Sequence, residues 1–169
     1  MTDLLATEGN LVLLRRGLAL LDALSDAEYA DPRGRWAPVG AQYRHVLDHY
    51  ASWIQGLPEG RVDYDDRSRD PRLESDRGFA RSRTLECLDA LAGLEAHPDR
   101  PVLVQMHCGG EDPAPDWRES SAGRELQFLC SHTVHHFALI QLLLEGSGVT
   151  LDPEFGTAPS TLAWQRSTR

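Results

Sequence analysis

The stretch from Gly123 to Glu145 is the part of this chain that leaves the fewest choices of fold. Leu126, Leu129, Thr133, Phe137, Ile140 and Leu144 recur at threes and fours, the spacing of a single buried stripe along an α-helix. Ser120 and Ser121 offer hydroxyl caps at its start, and Gly146 and Gly148 end it. A stripe of this kind has to be covered by other helices.

Three further segments supply them. From Asp3 to Leu24, Leu4, Leu5, Leu11, Val12, Leu14, Leu18, Leu21 and Leu24 follow helical spacing, and the turn Asp31-Pro32-Arg33-Gly34 stops the run. Ala37-Pro38 starts a second helix with proline in its first turn, and Val39, Tyr43, Val46, Tyr50, Trp53 and Leu57 form its stripe up to Pro58, Glu59 and Gly60. A charged connection, Arg61 to Asp70, leads to Asp70-Pro71, which reads as cap and first-turn proline of a third helix running to about Leu94 and closed by His97-Pro98. Pro101–Met106 and the region of Trp117 can pair as a small β-hairpin across the Gly/Pro-rich tip Gly109–Pro115. Asp152–Arg169, with Pro153, Gly156 and Pro159, reads as a tail and not an element. The expected fold is all-α: an antiparallel four-helix bundle over residues 3–147, with that hairpin before the last helix, in one domain of 169 residues whose tail is residues 148–169.

Charge narrows the partners. Seventeen Lys and Arg face 26 Asp and Glu, a formal net charge of −9, and no basic block interrupts the acidic balance. Nucleic acid and anionic membrane surfaces are therefore not expected partners. The three cysteines, Cys87, Cys108 and Cys130, contain no CxxC, so neither a disulfide framework nor a cysteine zinc module is expected and a reducing cytoplasm fits best. The opening residues lack a basic segment, and Arg15, Arg16 and Asp22 break the first apolar run, so neither a signal peptide nor a membrane span is expected.

Five of the seven histidines fall in two short segments, Arg44–His49 and Ser131–His136. On the last helix His136 falls inside the apolar stripe, His132 on its shoulder and His135 on the far side. An i,i+4 pair of imidazoles can reach one metal ion. On the second helix Gln42, His45, His49 and Ser52 form a polar stripe beside the apolar one, with His49 nearer the apolar side. These positions predict a three-histidine site, His132 and His136 with one of His45 or His49, for zinc, nickel or iron and with an open position for water or substrate. The alternative is that these histidines only pack, satisfied by backbone or by Asp48. His97, His107 and His135 are expected at the surface.

Other chemistries find little support. The chain has no HExxH, no Glu three residues before a His, no P-loop, no GxGxxG and no GxSxG. Cys130 reads as a small apolar residue and not as a nucleophile. The run Asp63–Asp70 either places Tyr64, Arg67 and Arg69 over the bundle end to hold an anionic substrate or is a solvated loop of internally paired charges; the second reading is favoured.

The segments Val39–Tyr50, Asp63–Asp70 with Glu74 and Asp76-Arg77, Ser120–His136 and Pro153–Thr161 together resemble the DinB-like proteins, bacterial four-helix bundles. The resemblance implies an up-down-down-up bundle, often a homodimer, with one metal-binding histidine on the second helix and an i,i+4 pair on the last. It implies His132 and His136 for the pair and places His45 ahead of His49 as the third ligand. It also implies thiol-dependent chemistry, since relatives include mycothiol-dependent isomerases, bacillithiol transferases and the metal module of ergothioneine-forming synthases. The expectation is thus a metal-dependent transferase or hydrolase-like enzyme acting on a small molecule with a low-molecular-weight thiol, against a non-catalytic binding protein built on the same site.

Overall fold

The computed structural model describes residues 3–32, 37–93, 98–109 and 114–168, and these are mostly helical with one small sheet. In chain order the elements are α1 (Asp3–Ala23), α2 (Asp26–Ala30), α3 (Val39–Gly56), β1 (Arg61–Asp63), α4 (Arg72–Ser75), α5 (Arg77–Gly93), β2 (Pro101–Gln105), β3 (Trp117–Ser121), α6 (Ala122–Leu143) and α7 (Pro159–Ser167). Helix α1 packs against both α5 and α6, and α3 packs against the same two. No helix among the described residues is long and apolar enough to cross a membrane.

Both central stripes are buried as spaced. Every expected stripe residue of α3, Val39 through Leu57, lies in the core, as do all six from Leu126 to Leu144 along α6 and its C-terminal cap. Trp53, Tyr43 and Phe137 are each about 1% exposed, and burying a side chain of this size stabilises the fold by about 1.5–3 kcal/mol. On α1 the expected Leu11, Leu14 and Leu21 are buried, as is Leu24 just past its end, but the buried face is wider than the expected stripe and leaves out Val12. Val12 points to solvent while Leu13 and Leu20 are buried, because a helix wedged between two neighbours buries a wider arc than one stripe.

Three expectations are corrected or extended. The third helix is not continuous: Asp76 is extended (φ −113°, ψ 97°) and its Oδ1 accepts from Phe79 N at 2.8 Å, so it caps α5 and detaches the short α4. The α3 backbone lies against α4 so closely that a Cβ on Gly40 would sit 2.1 Å from the Glu74 carbonyl oxygen. Ser25 and Glu28 form a capping box that starts α2, an S-x-x-E signal passed over in the sequence. The tail contains a helix, α7, because Pro159 stands in its first turn, where proline starts a helix and does not break one. Arg166 pairs with Glu154 at 2.6 Å, and Glu154 also pairs with Arg16, which ties α7 to α1.

The hairpin is present and larger than expected. β2 pairs antiparallel with β3, with Leu103 opposite Glu119, and β1 adds a parallel strand with Val62 opposite Val104. β1 falls inside the expected charged connection; it alternates exposed Arg61, buried Val62 and half-buried Asp63, too short a run to register as a strand. The expected stops at Arg33-Gly34 and at Leu94–His97, and positions 110–113 of the hairpin tip, lie outside the described residues.

Candidate metal centre

Helix α3 carries His45 and His49, and α6 carries His132 and His136, each pair one turn apart. Packing fixes the register of the two helices on both sides of the histidines. Tyr43 stacks on Phe137 with centroids 6.4 Å apart, and Thr133 Oγ1 donates to Tyr50 Oη at 3.2 Å. Tyr50 donates to Asn10 Oδ1 at 2.7 Å, and Asn10 Nδ2 donates to the Leu126 carbonyl at 2.9 Å, so a buried polar chain joins α1, α3 and α6.

Between these contacts all four rings meet. His45 lies 5.0 Å from His132 and 4.6 Å from His136, centroid to centroid, and His49 lies 4.1 Å from His132. Ligand-type atoms of His45, His132 and His136 all fall within 4.8 Å of one another, and these three are the residues that could hold a metal ion together. Nε2 of His132 and Nε2 of His136 are 3.2 Å apart. Two nitrogens bound at about 2.0–2.1 Å to one tetrahedral zinc are roughly 3.3–3.4 Å apart, so this pair already has the right separation.

Protonation suits the same use. His136 Nδ1 donates to Gln42 Oε1 at 2.7 Å, which fixes the tautomer and leaves Nε2 with a bare lone pair toward His132. Burial, reinforced by the neighbouring imidazoles, pushes His45 and His132 down to about 3; burial, with His135 beside it, pushes His136 down to about 4. All three are neutral ligands near pH 7. His132 Nδ1 is buried without a partner, so the polar contact of that ring is the one with His136. Three converging neutral imidazoles therefore fit a divalent ion of the zinc, nickel or iron type.

His49 stands differently. It is the deeper of the two α3 histidines, 5% exposed, as its place near the apolar stripe implies. Its Nδ1 is 2.8 Å from the His45 carbonyl and donates there, and it is not among the three converging residues. Tyr64 stacks over it at 5.5 Å, and Phe128 covers His132 at 5.5 Å, so aromatic rings wall the site. Tyr64 and Ser120 both donate to the buried carboxylate of Glu125, at 2.9 and 2.6 Å.

Arg67 enters the cluster from the Asp63–Asp70 run, contrary to the solvated-loop reading. Its Nη1 lies 3.1 Å from His45 Nδ1 and 3.3 Å from His49 Nδ1, and its Nε is buried without a partner. The loop is pinned for this. Asp63 Oδ1 accepts from Asp65 N at 2.8 Å, Asp65 Oδ2 accepts from His107 N at 2.6 Å, and Tyr64 N donates to Gln105 O at 2.9 Å. Arg69, in the left-handed region (φ 46°), turns away to the Asp65 carbonyl. Gln42 is the position at the cluster that sequence reasoning left without a role, although it was visible on the polar stripe; Arg67 had an alternative reading as an anion-holding residue over the bundle end, but nothing in the sequence aims it at the histidines.

The remaining candidates fall outside. Asp48 pairs with Arg44 at 2.8 Å and not with a histidine. Cys130 lines an apolar groove of about 330 Å³ with Ala6, Leu126 and Val134, and burial raises its thiol. His107, Cys108 and His135 are exposed, and His97 lies outside the described residues.

A family model described as the DinB superfamily matches residues 13–140. FK506-binding protein 5 of Rhizopus delemar is 30% identical over 102 residues, which are 60% of this chain and 26% of that protein. The chain thus spans about a quarter of the length of this curated relative. No solved structure gives a significant match.

Proposed function

The chain belongs to the DinB superfamily, and from that premise we propose that it is a divalent-metal protein whose ligands are His45, His132 and His136. The observation that carries this reading is the convergence of three neutral imidazoles within 4.8 Å. His45, His132 and His136 would hold the ion, and a bound ion of this type would supply Lewis-acid chemistry that lowers the pKa of a water or thiol. The chain's own residues do the rest. Gln42 holds His136 in the ligating tautomer, the His49 N–H ties down the α3 turn that carries His45, and Tyr64 and Phe128 keep water from the far side of the rings.

The bundle reading belongs to the same proposal. Tyr43 of α3 meets both Gly17 of α1 and Thr84 of α5, while Asn10 reaches Leu126 and Tyr50 reaches Thr133; these contacts support an up-down-down-up order of α1, α3, α5 and α6. We further propose a metal- and thiol-dependent transferase or hydrolase-like activity on a small molecule, and a homodimer. Leu142 and Trp164, 66% and 64% exposed, are the large apolar side chains with most surface left to cover. The test is a screen of the metal-loaded full chain with several low-molecular-weight thiols and electrophiles. Turnover that requires both metal and thiol is expected; saturable binding without turnover would assign the site to a non-catalytic binding protein.

A further inference from the structure

Arg67 is a half-buried cation whose partners do not match it. Among the described residues no carboxylate forms an ion pair with it, and its Nε–H is buried without an acceptor. The two imidazoles near Nη1 are not equivalent. His49 Nδ1 carries a hydrogen that it donates to the His45 carbonyl at 2.8 Å, so it cannot accept from Arg67. His45 Nδ1, at 3.1 Å, is then the acceptor of Nη1. A guanidinium with five donors is thus held by one imidazole lone pair, a weak substitute for an anion.

That contact is incompatible with ligation by His45. A neutral imidazole has one lone-pair nitrogen and one N–H. Ligation through Nδ1 uses the lone pair that Arg67 needs, and ligation through Nε2 moves the proton to Nδ1, where it opposes the Arg67 donor. Either way the guanidinium loses its acceptor. A divalent ion on neutral ligands beside a released guanidinium is a strongly cationic cluster, and the nearest acids are already engaged: Asp48 with Arg44, Asp65 with His107 N. The planar guanidinium fork matches a carboxylate in bidentate fashion.

We infer that Arg67 anchors a carboxylate-bearing substrate and that metal ligation by His45 is what releases it to do so. The inference rests on the three-histidine reading. It implies an order, metal before substrate, and makes Arg67 a specificity residue and not a ligand.

The test uses the full chain, labelled with ¹⁵N at arginine, chelator-treated or zinc-loaded, and titrated with propanoate, propanamide and inorganic phosphate. Propanoate is expected to shift the Arg67 Nε–H signal saturably in the zinc-loaded protein, at least about fivefold more tightly than in the chelator-treated protein, with no effect of propanamide. Arg67→Gln should weaken propanoate roughly tenfold or more, and Arg67→Lys less. Zinc affinity of Arg67→Gln should equal or exceed wild type, since no His45 contact has to break. Undiminished propanoate binding by Arg67→Gln would overturn the inference, because the metal alone would then hold the carboxylate. So would equal affinity with and without zinc, saturation by phosphate but not propanoate, or loss of zinc from Arg67→Gln. A wild type that takes up no zinc removes the metal reading and this inference together; zinc uptake with Arg67-independent propanoate binding removes this inference alone.

Discussion

Gln42 offers the sharpest single-residue test of how the site is built. Its Oε1 accepts the His136 Nδ1–H at 2.7 Å, and that bond keeps the lone pair of Nε2 directed at His132, 3.2 Å away. Gln42→Leu keeps the side-chain volume but removes the acceptor. The His136 proton is then free to move to Nε2 and the ring to rotate, so each binding event has to restore both. Losing the outer hydrogen bond of a metal-ligating histidine typically costs about 10- to 100-fold in affinity, or about 1.4–2.7 kcal/mol. Zinc competition against a chromophoric chelator at pH 7.5 measures this directly. Gln42 is only half-buried, so urea unfolding of the metal-free variant should change by less than about 1 kcal/mol, separating loss of the site from loss of the fold. Gln42→Glu, a stronger acceptor, should bind zinc at least as well as wild type. Wild-type zinc affinity in Gln42→Leu would refute the reasoning.

Other outcomes follow from the same contacts. His45, His49 and His132 titrate near 3 in the folded protein, well below the usual histidine value, so the unfolded chain binds more protons through the interval between. The metal-free protein should therefore lose stability as pH falls from about 6.5 toward 4, and a flat urea midpoint over that range would contradict the burial of neutral rings. Asn10→Ala removes the acceptor of Tyr50 and the donor to Leu126, and should cost about 1–3 kcal/mol in urea unfolding, with less than additive loss when combined with Tyr50→Phe. Gly40→Ala drives a methyl into the Glu74 carbonyl and should destabilise by about 1–3 kcal/mol, whereas Gly9→Ala, with nothing within 4 Å, should be neutral or stabilise by up to about 1 kcal/mol. Equal thermal shifts for the two glycine variants would refute the close α3–α4 approach.

What was legible in the sequence is what a single helix decides for itself. The α3 and α6 stripes depend only on spacing, and all their members are buried. The His132/His136 pair is local in the same sense. Which α3 histidine joins it is not, because His45 and His49 lie one turn apart on the same stripe and the choice depends on how α6 is turned against α3. That rotation is set by Tyr43 on Phe137 and Tyr50 on Thr133, contacts between residues 94 and 83 positions apart. Burial pointed to His49, and it is the more buried, yet its N–H belongs to the His45 carbonyl. Arg67 was the least legible. Its direction depends on three residues of β1 pairing in parallel with a strand 40 positions later, and three residues carry no periodicity to read. The missed α7 had a readable signal in Pro159, misread as a break because no apolar stripe accompanied it.

Elemental analysis of the full chain, produced without a histidine tag and without added metal, tests the central claim most directly. The account predicts about one divalent ion per chain, lost from His132→Ala and His45→Ala but kept by His49→Ala. A metal-free wild type, or a His132→Ala protein with its full complement of metal, would contradict it.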